Sequence, residues 1–195
     1  AYSSASAKDA YRFVNKFNRK DVNNLYLSLE KNEPLKIPDS VKNNSLTSYF
    51  IKSKDLEALG YILYAKQVEP LVGGSAEDWE PIKRDSVKMV KLAKNGIQLY
   101  KAAKTDLFKL KYAYQVMRLY HYFGNYPEVI SFYEEIKNNP TQSILQQLCL
   151  SLKAGALFHL NKTEEAAYLF SKAFASSPVK RISNYISFKW SLDSG

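Results

Sequence analysis

The amino-acid sequence predicts an all-α fold, on three observations. Gly and Pro number only seven each in 195 residues, fewer than the turns between the short strands of a β-sandwich or barrel require. Apolar side chains recur at three- and four-residue steps over long stretches, which is the pattern of amphipathic helices. The breaks between those stretches carry Asp, Ser, Thr, Gly and Pro, the residues that start and stop helices. With 46% hydrophobic residues, the chain can bury one substantial core or a short row of stacked helices.

Two helices are expected first, Ser4 to Phe17 and Asp21 to Glu30, with Asp21 as the N-cap of the second. Lys31 to Pro38 contains two prolines, each removing a backbone donor and restricting the residue before it, and reads as a linker. Leu46, Tyr49 and Phe50 mark a short helix, and Leu56, Leu59, Tyr61, Leu63 and Val68 a longer one that starts near Ser53 and Asp55. Glu69 to Pro81 holds Pro70, Gly73-Gly74 and Pro81, all poor helix-interior residues. The chain therefore reads as an N-terminal helical region over 1–72, a loop over 73–84 and a second helical region over 85–195, all within one continuous domain.

The second region opens with a helix from about Asp85 to Ala103, with Val87, Val90, Ala93, Ile97 and Tyr100 on one stripe. Thr105 then caps a helix to about Phe123, whose stripe is Leu110, Ala113, Met117 and Tyr120. The short connection predicts antiparallel packing of the two. A last helix, from about Val179 to Leu192, carries Ile182, Tyr185, Ile186 and Trp190 at helical spacing.

Between these lie two related segments. Gly124-Asn125-Tyr126 is followed by Val129, Tyr133 and Ile136; Asn161-Lys162-Thr163 is followed by Ala166, Phe170 and Ala173, with Pro178 beyond. Both resemble the second helix of a tetratricopeptide repeat, where a small residue, an aromatic four on and another small residue three further let two helices approach closely. Val129 and Ile136 are bulkier than the family's usual alanine. Ala166 lies 37 residues after Val129, above the family's period of about 34. Upstream, Ala154 and Leu157 match the small and larger residues of the first helix of the repeat, with Met117 and Tyr120 in those places one repeat earlier. The resemblance covers about residues 107–178. It implies antiparallel helix hairpins stacked as a tetratricopeptide-like right-handed α-solenoid, with the Val179–Leu192 helix as the cap that such a stack needs at an open end. The stretch Asp106 to Tyr126 also resembles repeats of large exported bacterial helical-repeat proteins, which implies an exported, periplasmic or envelope-associated location.

The same resemblance implies a ligand groove lined by the first helix of each repeat. The matching positions are Lys111, Tyr114, Arg118 and His121, where Tyr114 stacks on a partner side chain and Arg118 binds a carboxylate through two parallel hydrogen bonds. The two-carboxylate clamp of chaperone-binding members is not apparent. Repeat packing is assigned to Gly124, Tyr126, Val129, Tyr133, Ile136, Ala154, Leu157, Ala166, Phe170, Ala173 and Pro178.

Charge and chemistry narrow the function further. A net charge of +9 raises the local concentration of anionic partners without choosing among them. Ten Lys or Arg fall between Lys83 and Arg118 against Asp85 and Asp106, a contact surface or simply solvated helix faces. Fifteen tyrosines can stack on bases or sugars, but most lie on apolar stripes and read as packing. One cysteine, Cys149, excludes an internal disulfide and a CxxC motif. Cys149 and His159 are the one conceivable thiol–imidazole pair, yet Cys149 sits in an apolar stretch where a free cysteine packs as a small hydrophobe. Adjacent acids such as Glu134-Glu135 and Glu164-Glu165 diverge by about 100° on a helix, and Gly73-Gly74 lacks the GK[ST] continuation of a phosphate loop. No catalytic, metal or cofactor site is expected. The apolar run Leu59 to Ala65 is too short to span a bilayer. The chain begins at Ala1 without a charged-then-apolar leader, as a processed protein or a piece of a longer one would. The function expected is a non-enzymatic scaffold that binds a peptide or protein segment, acidic in character, in a basic groove; the alternative is a basic helical domain that binds nucleic acid or an anionic surface.

Overall fold

The computed structural model describes residues 6–73 and 84–194, and over these the chain is all-helical, with no strand among the described residues. In order the helices are α1 (Ala7–Asn15), α2 (Arg19–Lys31), α3 (Asp39–Lys42), α4 (Ser45–Ser53), α5 (Leu56–Val72), α6 (Ser86–Ala102), α7 (Asp106–Phe123), α8 (Tyr126–Ile136), α9 (Ile144–His159), α10 (Thr163–Ser176) and α11 (Arg181–Asp193). Two compact units are present, residues 1–69 and 70–195, and the division falls inside α5.

In the first unit, local hydrogen bonding decides where helices begin. Ser6 caps α1 by accepting from the Asp9 amide at 3.1 Å, so the helix starts later than the Ser4 expected, a residue outside the described set. Asn18 rather than Asp21 is the cap of α2: its side-chain oxygen accepts from the Asp21 amide at 2.8 Å, which places Asp21 in the first turn. There a carboxylate still favours the positive helix end. Asn44 is almost fully buried and does two things at once, accepting from the amides of Leu46 and Thr47 and donating to the Asp9 carbonyl. The Asp9 carboxylate returns the bond by accepting from the Ser45 amide at 3.0 Å, which holds its pKa below the ordinary value. α1 and α4 are thereby tied end to end. Phe13, Val22, Leu25, Phe50, Leu59 and Val68 form the interior, with the Phe13 and Phe50 rings 5.5 Å apart. The linker after α2 is pinned where Ser28 donates to the Pro34 carbonyl and Ile37 is buried.

Lys66 of α5 donates to the carbonyls of Val14 and Phe17, the last of the latter pair at 2.8 Å. It supplies the donors that the C-terminal end of α1 lacks, and burial lowers its pKa. α5 runs through Pro70 to Val72, past the break expected at Glu69. A proline costs a helix one donor and crowds the carbonyl four residues back, and in the last turn that cost is borne once. Arg84 donates from Nη1 to the Leu71 carbonyl at 2.6 Å. The rest of the expected loop, 74–83, lies outside the described residues.

In the second unit each helix from α6 to α11 packs on the next, and α9 packs on α7 and α11 as well as on α8 and α10. Asp85, where the helix was expected to begin, is the N-cap of α6 and accepts from the Lys88 amide. The buried face of α6 is Met89, Leu92, Ala93 and Gly96, with Ile97 and Tyr100 beside it, whereas Val87 is exposed. The buried stripe is thus rotated toward Met89 and Leu92 from the one read through Val87 and Val90, and Val90 is only half-buried. Thr105 caps α7 as predicted. Leu110, Ala113, Val116 and Met117 of α7, Val129, Phe132 and Ile136 of α8, and Cys149 and Ala156 of α9 form one core. Ala154 and Leu157 of α9 with Ala166 and Phe170 of α10 form a second. Tyr133 packs at the edge of the first core, Ala173 is buried, and Pro178 is exposed between α10 and α11.

Candidate ligand-binding groove

Four residues of α7, at successive steps of three, four and three, were expected to line a groove: Lys111, Tyr114, Arg118 and His121. That spacing puts them on one stripe. The structure brings three of them, Tyr114, Arg118 and His121, to a pocket of about 320 Å³ enclosed by α7, α9 and α11. Lys111 is not among the lining residues, and its ammonium sits over the Phe108 ring at 4.5 Å.

The α7 wall is set by the helix ending. Gly124, at φ 86°, adopts the left-handed conformation, and the Gly124 and Asn125 amides donate back to the carbonyls of His121 and Tyr120. This is a Schellman ending, which favours glycine at that position. Tyr126 follows directly as the first residue of α8, and its ring stacks on His159 of α9 at 4.5 Å with an interplanar angle of 7°. His121 meets both rings edge-on, at 5.7 and 5.9 Å.

His121 also lies against the α9 backbone. A Cβ on Gly155 would stand 2.8 Å from its Cε1, so the close approach requires glycine there. Buried in this packing, His121 Nδ1 has no hydrogen-bond partner among the described residues. Burial, with His159 nearby, lowers the His121 pKa to about 4. The ring is therefore neutral near pH 7, and the pocket draws positive charge from Arg118 and Lys180.

Arg118 donates from Nη1 to the Gln115 side-chain oxygen at 3.1 Å, and its guanidinium lies 5.5 Å from the Tyr114 ring centre. Those contacts orient the fork along the wall. Among the described residues no Asp or Glu lines the pocket. From α9 come Ser151, Leu152 and Phe158, and from the α11 side Lys180, Asn184 and Trp190. Asn184 is almost completely buried and its Nδ2 has no partner among the described residues. The residues on α9 and α11 were not anticipated. One signal for them was available: Lys180, Ser183, Asn184 and Ser187 recur at three- and four-residue steps, a polar stripe opposite Ile182 and Ile186. Arg84 stacks its guanidinium over Tyr122 at the pocket's α7 side, 4.6 Å from the ring centre.

The arrangement offers donors and aromatic walls. Cys149 is fully buried in the α7–α8–α9 core, and burial pushes its thiol pKa strongly up, the opposite of what a reactive thiolate needs. His159 lies on the same helix, ten residues away and stacked on Tyr126, about 15 Å along the axis. The two do not form a pair. Among the described residues no group of three or more His, Cys, Asp or Glu is placed to hold a metal ion, and no helix is long and apolar enough to cross a membrane. Comparison with protein-family models, with curated proteins and with solved structures finds no match to this chain.

Proposed function

We propose that the chain is a non-enzymatic interaction scaffold that binds an acidic or carboxylate-bearing peptide or protein segment in the groove between α7, α9 and α11. The observation that carries this reading is the lining of the groove, where Arg118, Lys180 and the unpartnered amide of Asn184 come together and no acid is present among the described residues. A buried donor without an acceptor, as Asn184 Nδ2 is among the described residues, is costly, and a carboxylate satisfies it. Trp190, Tyr114 and Phe158 give the neighbouring ligand side chain an apolar wall.

This reading takes α7–α8 and α9–α10 as antiparallel tetratricopeptide-like hairpins of a right-handed solenoid, with α11 as the next first-position helix. It is supported by α9 packing on α7 and α11 while α8 and α10 pack between them in sequence, and by small Ala166 and Ala173 buried around Phe170. A pool of fluorescent acidic peptides titrated against the protein tests it. Arg118→Ala is expected to weaken the tightest binder by about tenfold or more, the scale for losing a bidentate charged hydrogen bond. Unchanged affinity removes the groove assignment.

A second reading rests on α6, whose exposed Lys88, Lys91, Lys94 and Lys101 face no acid on that helix. Such a row suits nucleic acid or an anionic surface, and its signature is single-stranded oligonucleotide binding that falls steeply with salt. Groove binding persists in a Lys91→Glu, Lys94→Glu variant; surface binding does not.

A further inference from the structure

α11 carries its polarity inside out. Its buried residues are Asn184 and Ser191, and Lys180, Ser183, Asn184 and Ser187 turn toward the α7–α9 groove. The opposite face exposes Val179, Ile182, Tyr185 and Ile186, with Ile182 77% accessible, and Trp190, 60% accessible, stands at the edge between that face and the groove. A helix that closes a stack keeps a polar outer face, so α11 does not have the surface of the cap the sequence suggested. Ile182, Ile186 and Trp190 repeat every four residues, with Val179 and Tyr185 three before and three after Ile182. Val179, Ile182, Ile186 and Trp190 line an open trough of about 600 Å³ together with Lys180, Ser183 and Ser187. On α10 the row is extended by Phe174, whose ring lies 6.0 Å from Tyr185 and carries the Arg181 guanidinium at 5.9 Å. A contiguous apolar row with a polar border marks a docking surface.

The border selects the occupant. Lys180, Arg181 and Lys189 stand beside the row, and Asp193 at the far end is the one acid of α11. A second copy of the chain would bring the same cations face to face in a two-fold interface, on a chain already at +9. We infer that the outer face of α11 docks an amphipathic helix of a partner protein, whose apolar row at three- and four-residue spacing is flanked by Asp and Glu. The helix-in-groove mode supplies affinity through burial of Ile182, Ile186 and Trp190, and the flanking acids supply orientation and choice of partner. This surface borders the groove, sharing Lys180, Ser183, Ser187 and Trp190 with its rim, while Val179, Ile182 and Ile186 line the trough alone; the inference does not rest on the groove's assignment.

The test uses the full chain and three synthetic helical peptides of about four turns each: one with a Leu row flanked by Glu, one with the same row flanked by Lys, and a scrambled Glu-containing control. The Glu-flanked peptide is expected to bind, more weakly as salt rises, and Ile182→Asp to weaken it by about tenfold or more. Ile182 is exposed, so its replacement leaves the fold intact, which circular dichroism checks. As a second variant, Arg181→Glu with Lys189→Glu is expected to transfer preference to the Lys-flanked peptide. Four results overturn the inference. They are no binding of the Glu-flanked peptide, equal binding of the two Leu-row peptides, binding indifferent to Ile182→Asp, and a dimer in sedimentation that Ile182→Asp dissociates, which makes the occupant a second copy.

Discussion

His121 shows how one side chain couples the groove to stability. Its pKa in the folded chain is about 4 against an ordinary 6.5. Above pH 6.5 the ring is neutral in both folded and unfolded chains and contributes nothing to pH dependence. As pH falls from 6.5 toward 4, the unfolded chain takes up a proton that the folded chain does not, so stability declines, by roughly 3 kcal/mol in full. Urea titrations at stepped pH are expected to show that decline in the wild type and a flattened profile in His121→Gln over the same window. Gly155 belongs to the same contact. Gly155→Ala is expected to cost about 1 kcal/mol through the clash with His121 Cε1, yet to stabilise by about 1 kcal/mol in a His121→Ala background, where only helix propensity remains. A double-mutant cycle by chemical denaturation reads the difference. None of this was legible in sequence: glycine in a helical stretch reads as a mild breaker, and nothing local says which ring lies over it.

At the scale of elements, caps and packing stripes govern. Thr105 was legible as a cap because it stands directly before an apolar run and bonds an amide of its own first turn. Asn18 and Asn44 were not, since each sits among other polar residues, and Asn44 acts across 35 residues on the Asp9 carbonyl. Asn44→Ala is expected to cost about 2 kcal/mol, the upper range for a cap, measured as a lowered urea midpoint. In the second unit, Phe170 fills the space between Ala154, Leu157 and Ala166, and Phe170→Ala is expected to cost about 4 kcal/mol by the same measurement. Exposed ion pairs carry much less. The Glu134 carboxylate, whose pKa is held at about 2 by hydrogen bonds from Lys137 and Lys153, joins α8 to α9 at the surface, where such pairs contribute about 0.5 kcal/mol. The rotated stripe of α6 has a physical reason of the same kind: periodicity locates an apolar face only when a neighbouring helix is known, and Val87 lost its place to Met89.

For the whole molecule, the all-helical class was legible because periodicity and scarce turn residues are properties of the whole chain. The groove was legible on one wall only. Tyr114, Arg118 and His121 share a helix, so spacing aligned them; Asn184, Lys180 and Trp190 reach the same pocket from α11, and only tertiary packing brings them there. The inverted polarity of α11 follows from that placement, since a polar face turned inward leaves the apolar face outward. The central proposal is that the inward face of α7, α9 and α11 receives an anionic ligand. Amide chemical-shift mapping on the labelled protein, titrated with an acidic peptide, tests it most directly. Perturbations gathered on Tyr114, Arg118, Gly155 and Asn184 are expected; perturbations confined to the lysine face of α6, or absent throughout, would contradict the proposal.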